Sequence, residues 1–170
     1  MVSCFLIAAH LALLTDSPPD QLAKSKTKWA EAKAKHGNNY TYTVSFQSFV
    51  GFGHITTVFI ENGKVVKRQF KAWDSPKAPQ LPGALPVPTK TWDENGDQIG
   101  KNPEGATAKT LDELYDAAEK VVNTKLETYQ KLYLQMDTEG LLRHAFIVDT
   151  RIADDAPRKG IAIDNLKFTK

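Results

Sequence analysis

Oxygen ligands recur through residues 93–104: Asp93, Asn95, Asp97 and, eleven residues after the first, Glu104. Those are charged positions of an EF-hand loop, in which alternating side chains converge on one calcium ion and a glutamate closes the cage with both oxygens. Calcium is the only cofactor this chemistry suggests; otherwise none is expected. The stretch departs from the motif in that Gln98 stands where the sharp-turn glycine belongs, Pro103 precedes the bidentate position and no helix leads in. These departures favour a β-turn around Asn95-Gly96 with solvated carboxylates over the calcium loop.

The remaining reactive side chains are scattered. His10, His36, His54 and His144 lack the His-x-x-x-His or Glu-x-x-His spacing that chelates zinc. There is no Gly-x-Ser-x-Gly elbow and no phosphate-cradling glycine loop, and the single Cys4 lies in an apolar leader. Asp112-Glu113 reads as a helix start and Asp154-Asp155 as a loop, so neither forms an acid/base pair. No catalytic residues are therefore expected. Asn39-Tyr40-Thr41 is a glycosylation sequon, usable if the chain is secreted and that strand end is exposed.

The element that must position any site is residues 39–73. Tyr40, Tyr42, Val44 and Phe46 alternate with Thr41, Thr43, Ser45 and Gln47, the period of a strand with one dry and one wet face. Gly51-Phe52-Gly53 turns the chain, and a second strand runs from His54 to Ile60. Asn62-Gly63 is a strong hairpin signal, because both central residues of a type I′ turn need positive φ. A third strand then carries Val66, Phe70 and Ala72 on one face, with Lys67, Gln69 and Lys71 on the other.

Helices should flank this meander. Ser17 is a good N-cap followed by Pro18-Pro19 and Asp20, and the helix should stop at Gly37. Leu22, Ser25, Trp29 and Ala32 form its stripe, with Trp29 as the anchor on the sheet. Thr110 to Glu113 spells a capping box, after which Leu111, Leu114, Tyr115, Ala118, Val121, Val122 and Leu126 follow at helical spacing. Strands over Leu132 to Met136 and Leu142 to Val148, turned by Glu139-Gly140, precede a closing strand through Ile161, Ile163, Leu166 and Phe168. Between the two halves, residues 74–108 hold six of the nine prolines and read as an extended insertion, not a core element. The class is α+β: an antiparallel sheet of about six strands with two helices on one face, either cystatin-like or a tandem αβββ arrangement.

Length suits a single domain over residues 18–170. A net charge of +2, with lysines spread along the chain, makes no case for nucleic acid. Cys4 to Leu14 is an apolar run broken only by His10, too short to span a bilayer, so residues 1–17 read as a signal peptide and the mature chain as secreted. A retained, buried N-terminal helix is the competing reading.

Two resemblances rest on these residues. Gln47-Ser48-Phe49-Val50-Gly51 resembles the Gln-x-Val-x-Gly hairpin with which cystatins plug the cleft of papain-like cysteine proteases, with Phe49 in place of the valine. The helix-then-meander order is also cystatin-like, while the cystatin disulfides and second-hairpin Pro-Trp have no counterpart. Trp29, Tyr40-Thr41-Tyr42, Glu61 to Val66 and Thr110 to Tyr115 resemble the W, YxY, dGkVv and TvdeLFd pattern of a family of small exported bacterial domains, often lipoproteins, with no assigned reaction. That likeness implies export and a fold, and no substrate.

The expected function is binding or structural and without catalysis, exercised through the sheet and the proline-rich insertion. Candidate partner-binding residues are Gln47, Phe49, Val50, Gly51, Trp73 and Trp92. The partner would be another protein or a second copy of the chain. A carrier of a small apolar ligand such as a pigment or lipid, and a cystatin-like inhibitor of cysteine proteases, are the alternatives.

Overall fold

The computed structural model describes residues 16–75, 86–152 and 157–169. The expected leader, apart from Asp16 and Ser17, therefore lies outside the described residues, as do Asp154-Asp155 and residues 76–85 of the insertion.

Helix α1 (Pro18–His36) begins as its sequence dictates: Ser17 Oγ accepts the Asp20 N–H, two prolines occupy the first turn, and Gly37 ends it at φ +85°. Its apolar stripe is thin, so one side chain does most of the docking. Trp29 lies edge-on to Tyr40 at 5.1 Å between ring centroids and stacks on Phe168 at 6.0 Å, while its indole N–H donates to Asp112 at 2.9 Å. The hydrogen bond lets a polar ring edge be buried without penalty.

Three strands follow: β1 (Tyr40–Gln47), β2 (Gly53–Glu61) and β3 (Lys64–Trp73). Tyr40 and Tyr42 face the core and tie β1 to the next helix, Tyr40 Oη accepting the Leu111 N–H and Tyr42 donating to the Lys109 carbonyl, both at 2.7 Å. The register between β2 and β3 shifts after Phe59, which pairs with Lys67 while Ile60 pairs with Val65. This bulge reverses one expectation. Val65, not Val66, packs on the core, because the extra residue flips the alternation before Arg68 and Phe70 resume it.

The reading of residues 74–108 as lacking core elements is corrected over β4 (Lys90–Asn95), which pairs antiparallel with β3 and sets Trp92 opposite Phe70 and Glu94 opposite Arg68. A 3-10 turn at Gly96–Gln98 follows. Helix α2 (Leu111–Val122) carries the complete capping box between Thr110 and Glu113 and ends before Leu126, which is exposed. Then come β5 (Gln130–Met136), β6 (Leu142–Asp149), β7 (Lys159–Ala162) and β8 (Asp164–Phe168).

The protein is α+β, with every strand pairing antiparallel. The described strands number eight, not about six, because β4 is added and the closing strand breaks at Ile163. They form a five-stranded sheet in the order β4-β3-β2-β1-β8 and a three-stranded sheet in the order β5-β6-β7. Only Ile163 separates β7 from β8, so one continuous segment passes from the small sheet to the large one. Buried Ile163 donates its N–H to the Arg143 carbonyl at 2.8 Å, and its own carbonyl accepts from Arg143 Nε at 2.9 Å. One core cluster draws on both helices and both sheets. No helix among the described residues is long and apolar enough to cross a membrane.

Candidate functional site

The turn joining β1 to β2 is built from residues that leave it little freedom. The Ser48 N–H donates to the Phe52 carbonyl at 2.9 Å and the Gly51 N–H to the Ser48 carbonyl at 3.0 Å. Ser48 Oγ accepts the Val50 N–H at 3.2 Å, a local side-chain bond typical of serine in turns. Gly51 adopts φ +94°, a conformation that disfavours any other residue. From the end of β3, the Trp73 indole N–H reaches the Gly51 carbonyl at 3.1 Å. Its ring lies so close to Gly53 that an added Cβ would sit 2.8 Å from Trp73 Cζ2 and 2.5 Å from the Phe46 carbonyl oxygen.

This clamped turn holds apolar side chains outward. Phe49 is 99% exposed and Val50 61%, and Phe46 and Phe52 beside them are also exposed. Residues 45–60 include no Asp, Glu, Lys or Arg. Of the expected partner-binding residues, Gln47, Phe49, Val50, Gly51 and Trp73 thus converge on one tip. Trp92 lies across the sheet but on the same face: Phe52, Phe46, His54, Phe70 and Trp92 run in a row at successive centroid distances of 6.0, 5.7, 5.5 and 5.0 Å. Burial lowers the pKa of His54 in that row, with the nearby Glu104 carboxylate pulling the other way.

Behind the tip a groove of about 1020 Å³ separates the end of β1 from the outer face of the small sheet, lined by Phe46, Tyr133, Phe146, Ile152, Arg158 and Asp164 among others. Tyr133 stacks on Phe146 at 5.4 Å, and the Arg158 guanidinium lies 5.2 Å from the Phe146 ring centroid. Several of its polar groups are committed to structure. Asp164 accepts from Ser45 Oγ at 2.6 Å and from the Ser45 N–H at 3.2 Å, and His144 Nδ1 meets Gln135 Oε1 at 3.1 Å. Burial, reinforced by Arg143, holds the His144 pKa below its ordinary value. Among the described residues no hydroxyl in this groove bonds a histidine.

The calcium-loop residues are not brought together. Asp93 pairs with Lys67 at 3.1 Å and accepts from Gln69 at 3.2 Å, Asp97 lies 3.9 Å from Lys101, and Glu104 pairs with Lys90 at 2.7 Å. Asn95 ends β4 and precedes the 3-10 turn. Among the described residues, no group of three or more His, Cys, Asp or Glu is placed to hold a metal ion. Asn39 of the sequon is half-buried, with its side-chain oxygen accepting the Asn62 N–H at 2.7 Å.

One polar assembly went unread in the sequence. Arg68 and Glu94 are 2% and 1% exposed and meet at 2.8 Å. Arg68 also donates to the carbonyls of Ala106 and Asn102, at 2.6 and 2.8 Å, and lies over the Trp92 ring. Glu94 accepts the Gly100 N–H at 2.7 Å and both the backbone and the side chain of Asn102. Burial alone would raise the Glu94 pKa; Arg68 and the N–H groups of Asn102 and Gly100 outweigh it and hold it down at about 2. The signal was the alternation itself, which puts Arg68 on the same face as Phe70. The assembly straps residues 99–106 onto the sheet, where Thr56 Oγ1 accepts the Ala106 N–H at 3.0 Å. Comparison with protein-family models, with curated proteins and with solved structures finds no match to this chain.

Proposed function

We propose that this chain is a non-catalytic binding protein whose β1–β2 tip inserts into an apolar pocket of a protein partner. The observation that carries this reading is the rigid turn holding Phe49 almost wholly in water. An aromatic ring so placed contributes nothing to the core, and a preorganised loop loses little entropy when it is buried against a partner. The lack of cationic side chains in residues 45–60 favours a desolvated protein pocket over an anionic lipid surface. The proline-rich stretch is the weaker surface, since residues 90–95 and 99–106 are folded onto the sheet. Export, expected from residues 1–17, would place the partner outside the cell.

The test is retention by immobilised protein. A partner held by the wild type should be released by Phe49→Asp, with unchanged circular dichroism and melting. Equal retention by both proteins would move binding to another surface.

A second reading, cystatin-like inhibition, is supported by the position of Gln47 to Gly51 at an exposed hairpin tip after a helix and a strand. It expects inhibition of papain that disappears with Gly51→Glu. Full papain activity at high molar excess of the chain would remove it.

A further inference from the structure

Strand β5 is an open edge of the three-stranded sheet. Its register on β6, together with the bond from the Thr150 N–H to the Tyr129 carbonyl, identifies Tyr129, Lys131, Tyr133 and Gln135 as the residues whose backbone bonds β6. The backbone groups of Leu132, Leu134 and Met136 point the other way, and among the described residues no loop or side chain meets them. Gln130, the next in that row, already donates its N–H to the Glu127 carbonyl.

Edges of this kind are templates for another strand unless they are blunted. One edge of the large sheet, β4, is blunted: Pro86 and Pro88 lead into it, and Lys90 and Asp93 charge it. By contrast β5 has no proline and a single charge, Lys131, while Leu132, Leu134 and Met136 form a half-buried apolar strip along its inner face.

We propose that β5 pairs with β5 of a second copy of this chain, antiparallel about a two-fold axis at Tyr133, to make a continuous six-stranded sheet. That register pairs the whole strand. It sets Leu132 opposite Leu134 of the second copy and Leu134 opposite Leu132, so residues whose donors and acceptors are open face others of the same kind. A two-fold axis makes the contact self-complementary and closed. On the inner face the leucines meet each other and Gln130 meets Met136. On the outer face Lys131 meets Gln135, so no like charges oppose, as they would if the axis passed through Lys131. This contact is independent of the β1–β2 tip.

Sedimentation velocity from micromolar to millimolar concentration tests it. The wild type should show a concentration-dependent dimer. Leu134→Pro removes an outward N–H and leaves the β6 ladder bonds in place, so it should be monomeric with unchanged far-ultraviolet circular dichroism. Gln135→Glu places a carboxylate opposite Lys131 at two symmetric points and should tighten the dimer roughly threefold to tenfold; Gln135→Lys should loosen it by a similar factor. Should Leu134→Pro fail to fold, the opposite responses of the two Gln135 variants decide alone. A wild type monomeric at millimolar concentration, a dimer unmoved by both Gln135 variants, or a dimer abolished by Phe49→Asp would overturn the proposal.

Discussion

The Arg68–Glu94 seam and the β1–β2 tip invert the usual distribution of side chains in opposite senses. The seam puts two charges inside, and the tip puts Phe49 and Val50 outside. Burial of the ion pair is made tolerable by partners: Glu94 receives Arg68, Gly100 and Asn102, and Arg68 reaches two further carbonyls. Every departure there is answered within the chain, which is the mark of a structural device. Phe49 has no such answer. The hydrogen bonds around it hold the turn, and nothing among the described residues covers the ring. An unfavourable placement with internal compensation teaches about folding; one without it is what the proposed docking to a partner rests on.

Breaking the seam should have the largest effect. Arg68→Ala leaves the Glu94 carboxylate buried without its countercharge, and should cost about 3–5 kcal/mol in chemical denaturation. The paired replacement Arg68→Met with Glu94→Leu should recover a large part of that loss, since neither charge is then left alone.

Acid should attack the same place. Glu94 has a folded pKa of about 2 against an ordinary value of 4.5, so its contribution is complete above about pH 4.5 and is lost as pH falls toward 2. His54, its pKa lowered by burial, adds a loss that begins below its ordinary 6.5, because the unfolded chain binds the proton more readily. Denaturation midpoints measured between pH 7 and pH 2 should fall in both windows, and Glu94→Gln should flatten the lower one.

Loosening the turn should matter less. Gly53→Ala forces a methyl against the Phe46 carbonyl and the Trp73 ring, with an expected cost of roughly 1–3 kcal/mol by thermal unfolding. Trp73→Phe removes the bond to the Gly51 carbonyl and should cost about 0.5–1.5 kcal/mol. Phe49→Asp should be the mildest of all, within about 0.5 kcal/mol of the wild type. A large loss of stability in that variant would erase the contrast, since it would mean that the ring serves the fold.

Local rules carried much of the fold. Ser17, Gly37, Thr110 with Glu113, and the alternation at Tyr40 and Tyr42 are short-range signals, each legible because neighbours in sequence are neighbours in space. What stayed hidden was non-local. Glu94 is meaningful only opposite Arg68, and the acidic run at residues 93–104 looked like a cation loop until the pairing of β4 sent its carboxylates to different lysines. The bulge after Phe59 moved Val65 onto the core for a similar reason, since a register is a property of two strands. The tip was half legible. Its glycines and aromatics are visible in the sequence, while the clamp from Trp73 needed the third strand in place.

The junction at Ile163 also constrains how the molecule comes into being. Strand β8 pairs with β1, Tyr40 lying opposite Phe168, so the large sheet cannot close until nearly the whole described chain has been synthesised. The first helix and meander must wait with one flank of β1 unpaired while the later strands emerge from the ribosome. Closure across so long a stretch of chain favours slow folding and a late cooperative step. Proteolytic trimming just after Ile163 would remove β8, reopening that flank and uncovering the Trp29 ring on which Phe168 stacks.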